Sequence, residues 1–573
     1  MENKIKSVVL IVFVFLGTGC VSTDERQFDA NSVIKKPKLV LQITVDQLRG
    51  DMPTRYMKNM GEGGFRYLQE KGIWYANAHY GHSNTETVVG HTTLATGADP
   101  SEHGMISNVW FDRVTGKLVY NIEDKNYSIL SPNANISKSN EVDPTQRMAT
   151  ADGRSPANIL VSTFSDELAL QSNGKAKIFA VSVKDRGAVT MAGQSGKAFW
   201  FSKKSGEFIT SSYYYDAYPN WVNAWNQQKK SQKYANTAWS LLKDKSTYTF
   251  ANSDDNAWEV DIDGFGRTFP HNYQSADGKY FNSLLTFSPA GDELTLDFAK
   301  AIVDNERLGE DNITDYLSIS FSSTDYIGHF FGPSSLEAED NMLRLDRTLA
   351  NLFAYIDKKI GLENTLIILS ADHGVAEASA FLQAKGIDAG YVSVDKLNKG
   401  PYFPALKKKF GVGKSLVRKY FPPHLYLDHK VIRNKGLSLV EVEHAVADEL
   451  MKIDGIARVV SGSDLRNNSL PLSALNNAAI RNYHKQRSGD LLVLFKTNYY
   501  ANDFGGKILA ANHGSPWRYD TFVPIIFAGG HLQGRKITRR VEPKDVASTL
   551  AIITGTKIPS GSSGTVMFEI FNR

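Results

Sequence analysis

The sequence has a single cysteine, Cys20, in 573 residues. No disulfide can form within one chain, and no metal site can draw on a set of thiolates. Stability must come from a hydrophobic core, and the chain is long enough to bury one. Excess charge is scarce too: 65 Lys and Arg against 61 Asp and Glu leave a formal net charge of +4. No Lys/Arg run supplies the concentrated basic face of a nucleic-acid binder, so no nucleic-acid partner is expected. Internal repeats and low-complexity tracts are absent. What remains is ordinary globular composition, with 42% hydrophobic and 22% charged residues. The length implies several domains or one large domain with insertions.

Lys4 and Lys6 precede an apolar run from Val8 to Leu16, followed by Gly17-Thr18-Gly19-Cys20. A basic start, a short apolar core and small residues before a break read as a secretory signal over residues 1–19. The apolar run is too short to span a bilayer comfortably. Cys20 after Gly19 is similar to a bacterial lipoprotein processing site, which implies a lipid anchor at Cys20. Simple cleavage and release is the alternative. Either way the expected location is outside a bacterial cytoplasm, periplasmic or anchored to the outer membrane. Residues 20–37 are polar, end in Lys35-Lys36-Pro37 and read as a linker; one large folded domain is expected over 38–573.

Leu39 to Val45 reads as a buried strand, and similar runs occur at 178–183, 316–321, 365–369, 491–495 and 523–528. Short β-rich runs separated by helical patterns predict an α/β fold, a mainly parallel sheet sandwiched by helices. One helix is well marked by Met342, Leu345, Leu349, Leu352 and Ile356, and ends near Gly361. Between about 190 and 300 the chain is rich in aromatics, including Tyr213-Tyr214-Tyr215, Trp221, Trp225, Trp239 and Trp258. This stretch is expected to be an inserted cap over the functional edge of the sheet. A second insertion of mixed character is expected at about 378–485.

In an open α/β sheet, ligands bind beyond the carboxyl ends of the strands. Asp46 comes directly after the first strand. Asp325 and His329 come after the strand at 316–321, Asp372 and His373 after that at 365–369, and His513 after that at 491–495. Asp and His are the ligands a hydrolytic zinc site uses when Cys is missing. Asp325 and His329 are four apart, so a helical turn points both the same way. The set suffices for two metals, which could stabilise both the attacking and the leaving oxygen of an in-line displacement. An Asp or His after a strand is also often a helix cap or a satisfied polar group. Thr87 opens a run of small residues, Val88 to Gly97, that could pack closely as a helix. At a helix N-terminus it could meet a phosphate, or it could be a plain N-cap. His82, His91 and His103 lie near Thr87 in sequence and are expected to be structural.

The sequence resembles the alkaline phosphatase superfamily and, within it, the bacterial phosphate-irrepressible enzymes that use Thr rather than Ser. The matching pieces are Val45-Asp46-Gln47-Leu48-Arg49, Thr85-Glu86-Thr87-Val88-Val89-Gly90-His91-Thr92, Gly104 to Trp110, Val183-Lys184-Asp185-Arg186, Ser323 to His329, Ser370-Ala371-Asp372-His373-Gly374 and Asn512-His513-Gly514. They run in the family's order, and a closing helix and turn at Asp545 to Leu550 and Pro559-Ser560-Gly561 agree.

The resemblance implies an alkaline phosphatase that hydrolyses small phosphate monoesters at a site with two zinc ions. Asp325, His329 and His513 would hold one zinc, serving the leaving-group oxygen and later water. Asp46, Asp372 and His373 would hold the other, with the Thr87 oxygen as a further ligand. Thr87 would be the nucleophile and form a phosphothreonine. Asn108, Lys184 and Arg186 would contact phosphate oxygens. Lys184 and Arg186 alternate at a strand end and would share a face if the strand continues, although an exposed, solvated edge is the plainer reading without the resemblance. This cationic pair favours monoesters, because the related nucleotide phosphodiesterases lack it. A phosphodiesterase or nucleotide pyrophosphatase is the alternative. A sulfatase would need a Cys or Ser in place of Thr87, and a surface binding protein would not need a complete ligand set.

Overall fold

The computed structural model describes residues 35–571 apart from 133, 135–140, 263, 394–403, 413–415, 502 and 505–506. The expected signal segment, Cys20 and the linker up to residue 34 lie outside the described residues.

All seven residues of Leu39–Val45 are buried. A strand apolar almost throughout belongs where both of its faces are covered. This strand, β1 (Leu39–Val45), lies at the centre of a nine-stranded sheet. The others are β2 (Ile73–His79), β3 (Ile178–Ser182), β4 (Lys197–Phe201), β5 (Phe208–Ile209), β6 (Asp315–Phe321), β7 (Thr365–Ser370), β8 (Phe522–Gly529) and β9 (Arg535–Ile537). Their order is β9-β2-β8-β7-β1-β6-β3-β4-β5. Only β8 and β5 run against their neighbours. Helices flank the sheet, so the expected mainly parallel α/β architecture is found.

Four helices position the site: α1 (Thr87–Thr96), α2 (Asp185–Ala192), α3 (Ser323–Phe331) and α4 (Leu336–Lys359). The stripe expected at 342–356 forms the buried face of α4. Ser335 caps this helix by accepting from the Ala338 N–H, Glu337 and Glu339 lie in its first turn, and Lys358 and Lys359 in its last. Each placement suits the helix dipole.

Three expectations need correction. The aromatic stretch at 190–300 is not a cap over the functional edge. It contains β4 and β5, and many of its rings are core: Phe208 stacks on Phe298 with centroids 4.4 Å apart, and Trp225 meets the same ring edge-on at 5.1 Å. The strand at Leu491–Phe495 is not part of the central sheet. It belongs to a four-stranded antiparallel sheet, in the order Val417–Phe421, His424–Leu427, Leu491–Phe495, Ile456–Ser461. That sheet has its own apolar cluster, including Leu425, Leu427, Val442, Val446 and Leu491, so the second insertion is a small lobe that reaches beyond residue 485. Lys184 and Arg186 do not extend β3. The strand stops at Ser182, Lys184 takes the N-cap position of α2 and Arg186 lies in its first turn.

Candidate active site

β1, β6 and β7 are adjacent, parallel and in register, with Val45 opposite Phe321 and Thr44 opposite Ser370. Asp46, the start of α3 and Asp372-His373 therefore leave the sheet at one level. In α3, Asp325 and His329 sit one turn apart, and both are buried. His513 reaches the same edge by a route other than the one expected. It lies in the loop before β8, and because β8 is antiparallel to β7 its beginning meets the end of β7.

Two groups of potential metal ligands result, Asp325–His329–His513 and Asp46–Asp325–His373. The Nε2 atoms of His329 and His513 lie 3.2 and 3.4 Å from Asp325 Oδ1. His373 Nε2 is 3.5 Å from Asp46 Oδ1 and 3.4 Å from Asp372 Oδ2. The His373 and His513 rings stack at 3.6 Å, so the two groups adjoin. Asp372 stands beside the second group through its contact with His373. Its Oδ1 accepts from the backbone N–H groups of Gln47 and His373, both at 3.0 Å.

Whether these residues suit a metal is decided by their orientation. Each of the three histidines places Nδ1 on a backbone carbonyl: His329 on Ala511 at 3.0 Å, His373 on Gly374 at 2.9 Å and His513 on Thr85 at 2.7 Å. An Nδ1–H bound in this way leaves the Nε2 lone pair facing the carboxylates, which is how metal-binding imidazoles are held. His373 Nε2 and Asp46 Oδ1 are buried and have no hydrogen-bond partner. Burial pushes His373 down to about 3, so its imidazole is neutral, the form that binds metal. Burial and the neighbouring Asp372 push the Asp46 carboxyl up. Burial would raise Asp325 too, but His329 and Lys184 outweigh it and hold its carboxyl well below the usual range. Buried acids and a neutral imidazole at His373, with such orphaned atoms, fit a bound cation.

Thr87 is the first residue of α1 and is buried. It is not the N-cap; that position is Glu86, whose own side chain makes no capping hydrogen bond. A helix start with N–H groups left over is a place for an anion. Asn108 accepts from the Val88 N–H at 3.1 Å through Oδ1, which leaves its NH2 group as the donor. Glu86 fixes Asn108 by accepting from its backbone N–H at 2.5 Å. Gly90 is required by close approach: a Cβ there would stand 1.9 Å from the carbonyl oxygen of Asp372.

Lys184 and Arg186 flank this cluster. Lys184 is fully buried, with Nζ 2.8 Å from Asp46 Oδ2 and in contact with Asp325. Burial would lower its pKa, but the two carboxylates raise it above its ordinary value. Arg186 Nη1 pairs with Asp143 at 2.8 Å, and its Nε is buried with no hydrogen-bond partner. Arg186, Thr87, Asn108, Asp325, His329 and His513 line one cleft of about 210 Å³.

Several residues around the cluster could not be picked out from sequence as anything but neighbours. His91 Nδ1 lies 2.9 Å from the Thr87 carbonyl and 3.1 Å from Asp372 Oδ2, while Nε2 meets Ser320 at 2.9 Å. It ties the helix that begins at Thr87 to a candidate ligand. Gln47 has φ of +69°, rare for a residue with a side chain, and its amide donates to Asp325 at 2.7 Å. Gly328 makes room for that contact, since a Cβ there would meet Gln47 Oε1 at 1.8 Å. Asp143, which holds Arg186, comes from a loop with no motif. His82 and His103 meet Thr93 at 3.5 and 3.2 Å and stay away from the cluster.

A buried Asp/His metal cluster at the carboxyl edge of a mainly parallel sheet, beside a hydroxyl at a helix start, defines a metal-dependent hydrolase of the alkaline phosphatase superfamily. Within it, the chain belongs to the type I phosphodiesterase/nucleotide pyrophosphatase family, whose model matches residues 40–516. It is 34% identical over 546 residues to alkaline phosphatase PafA of Elizabethkingia meningoseptica, a match that covers 95% of this chain and 96% of that protein. It is also 34% identical over 544 residues to a protein named calcium-transporting ATPase in Myroides odoratus, covering 94% and 96% of the two chains. The crystal structure of wild-type PafA superposes with a TM-score of 0.85 at 33% identity, over 94% of this chain and all of that one. Among the described residues, no helix is long and apolar enough to cross a membrane.

Proposed function

We propose that this protein is an alkaline phosphatase that cleaves small phosphate monoesters through a phosphothreonine on Thr87. The observation that carries the reading is the joint placement of Thr87, Asn108, Arg186, Asp325, His329 and His513 around one cleft, with the group of Asp46 and His373 adjoining it through the His373–His513 stack. Two zinc ions, one on Asp325, His329 and His513 and one on Asp46, Asp372, His373 and the Thr87 oxygen, would supply Lewis-acid stabilisation of the oxygens that gain charge. Thr87 Oγ1 attacks phosphorus in line and the alcohol departs. Water then cleaves the phosphothreonine and returns Thr87 to its starting state. The Asn108 amide, the Arg186 guanidinium and the Lys184 ammonium hold the non-bridging oxygens. The signal segment and Cys20 support export from a bacterial cell with a lipid anchor or release, tested by locating the protein after fractionation and by labelling Cys20 with fatty acid.

The competing reading is a phosphodiesterase, and the family description stands in its favour. Lys184 and Arg186 speak for monoesters, because a monoester dianion carries more charge and one more non-bridging oxygen than a diester. The test is kcat/KM for a monoester and a diester of the same alcohol on zinc-loaded protein. A higher value for the diester would sink the monoesterase reading.

Metal removal gives a second measurement. Stripping with a chelator leaves Asp46 Oδ1 and His373 Nε2 buried without partners, so stability and activity should fall together. Zinc readdition should raise the unfolding midpoint by several degrees, since ligand at roughly a thousand times Kd adds about 4 kcal/mol. Elemental analysis should find two zinc per chain. A midpoint indifferent to zinc would contradict the assignment.

His91 joins Thr87 to Asp372, and His91→Ala is expected to weaken zinc binding about 10- to 100-fold. Competition with a chromogenic chelator reads this directly. An unchanged affinity would reduce His91 to packing.

A further inference from the structure

The cleft has two unlike walls. One holds Thr87, Asn108, Arg186 and the histidines. The other, contributed by the small lobe, holds Phe421, Pro422, Pro423, Phe495 and Tyr499. Phe421 ends one strand of the lobe, Pro422 and Pro423 form the turn to the next, and the Val493 N–H fastens it by donating to the Pro423 carbonyl at 2.8 Å. The lobe is in turn bolted to the loop that carries His513. Trp517 Nε1 donates to the Phe495 carbonyl at 2.9 Å, Asn512 Nδ2 to the Ala501 carbonyl at 2.7 Å, and the Tyr500 hydroxyl to the Ala510 carbonyl at 2.6 Å. Prolines and rings with few rotatable bonds, held by these ties, make a stiff surface that loses little entropy on binding.

A phosphoryl group engaged by the polar wall turns its alcohol toward the rest of the cleft, which is this apolar surface. Lys184 is buried against Asp46 and Asp325 and does not line the cleft; among the described residues Arg186 is the only Lys or Arg that does, and Asp143 already pairs with it. Glu86, Asp325 and Asp520 line it as well. A second phosphate or a carboxylate on the alcohol would find no further cation there to receive it.

Resting on the phosphomonoesterase reading, we propose that the Phe421–Pro423 turn with Phe495 and Tyr499 is the leaving-group platform. It selects phosphate monoesters of flat, uncharged aromatic alcohols over those of small polar or further charged alcohols. Aryl contact with a ring of this kind is expected to be worth about tenfold.

The experiment compares wild type, Phe421→Leu and Phe421→Ala, each zinc-loaded and checked for an unchanged unfolding midpoint. The ratio of kcat/KM for phenyl phosphate over glycerol phosphate should fall about tenfold in Phe421→Ala and by less in Phe421→Leu. The ratio of dissociation constants for benzylphosphonate and methylphosphonate, measured by calorimetry, should shift by the same factor. The leucine variant keeps apolar bulk and loses only the flat ring, so it stands in if the alanine variant does not fold. Wild type that cleaves neither monoester defeats the underlying reading. Wild type that cleaves both, with neither ratio moved by the variants, defeats the platform alone.

Discussion

Thr87→Ala should abolish the covalent phosphoenzyme and cut kcat/KM by roughly 10⁴ or more, while zinc stays bound. The scale is that of removing a nucleophile from a site that works as a unit. The substitution removes one hydroxyl and one methyl from the first turn of α1 and touches none of the carboxylates or imidazoles. Glu86, Asn108 and Val88 keep their mutual hydrogen bonds, because none runs through the Thr87 side chain. The anion site at the helix start should therefore survive, and so should competitive inhibition by inorganic phosphate. Acid quenching during turnover, with mass measurement of the peptide around residue 87, should find a phosphate adduct in wild type and none in the variant. Elemental analysis on the same samples should find equal zinc. A variant that retains a phosphopeptide, or more than about one hundredth of the wild-type rate, would place the nucleophile elsewhere.

How far such a site can be read from sequence depends on how local each signal is. Asp325 and His329 are legible because four residues make one helical turn. Asp46 and Asp372-His373 are legible because parallel strands in register bring the residues at their carboxyl ends to one edge. His513 belongs to the cluster, but not by the topology that its place after the strand at 491–495 suggests. That apolar run looks like any buried strand, and nothing in its composition says which sheet it joins. The aromatic stretch misleads in a similar way, since rings that cap a cleft and rings that pack around Phe298 have the same composition. Lys184 and Arg186 read as an extended strand, yet their chain turns into α2 after Val183. Both still reach the site, because a helix start at the carboxyl end of β3 occupies the same edge. Asp143, Gln47 and Glu86 act through contacts distant in sequence or through an uncommon backbone angle. A single chain without a fold carries no sign of either.

The turn into α2 bears on the other large effect. Lys184→Ala and Arg186→Ala should each lower kcat/KM for a phosphate monoester by roughly 10² to 10³, and the diester rate far less. A buried charged donor is worth most where charge is concentrated, and the monoester dianion is that case. Arg186 is braced for this task. Asp143 holds Nη1, and Tyr326 and Lys203 extend the brace, with the Lys203 ammonium 2.7 Å from Glu141 and 2.9 Å from the Tyr326 hydroxyl. Burial would raise Asp143, but Arg186 and Lys203 hold it far below the usual carboxylate range, so this brace stays charged. Arg186→Lys keeps the charge and loses the fork, and should recover only part of the monoester rate. Lys184 differs, because its ammonium also touches Asp46 and Asp325. Its removal could act through the metal, so zinc content must be measured beside the rates. Lost zinc would depress both substrates together, whereas a lost phosphate contact depresses the monoester far more than the diester. Equal losses on monoester and diester at full zinc occupancy would leave the pair no part in choosing the substrate.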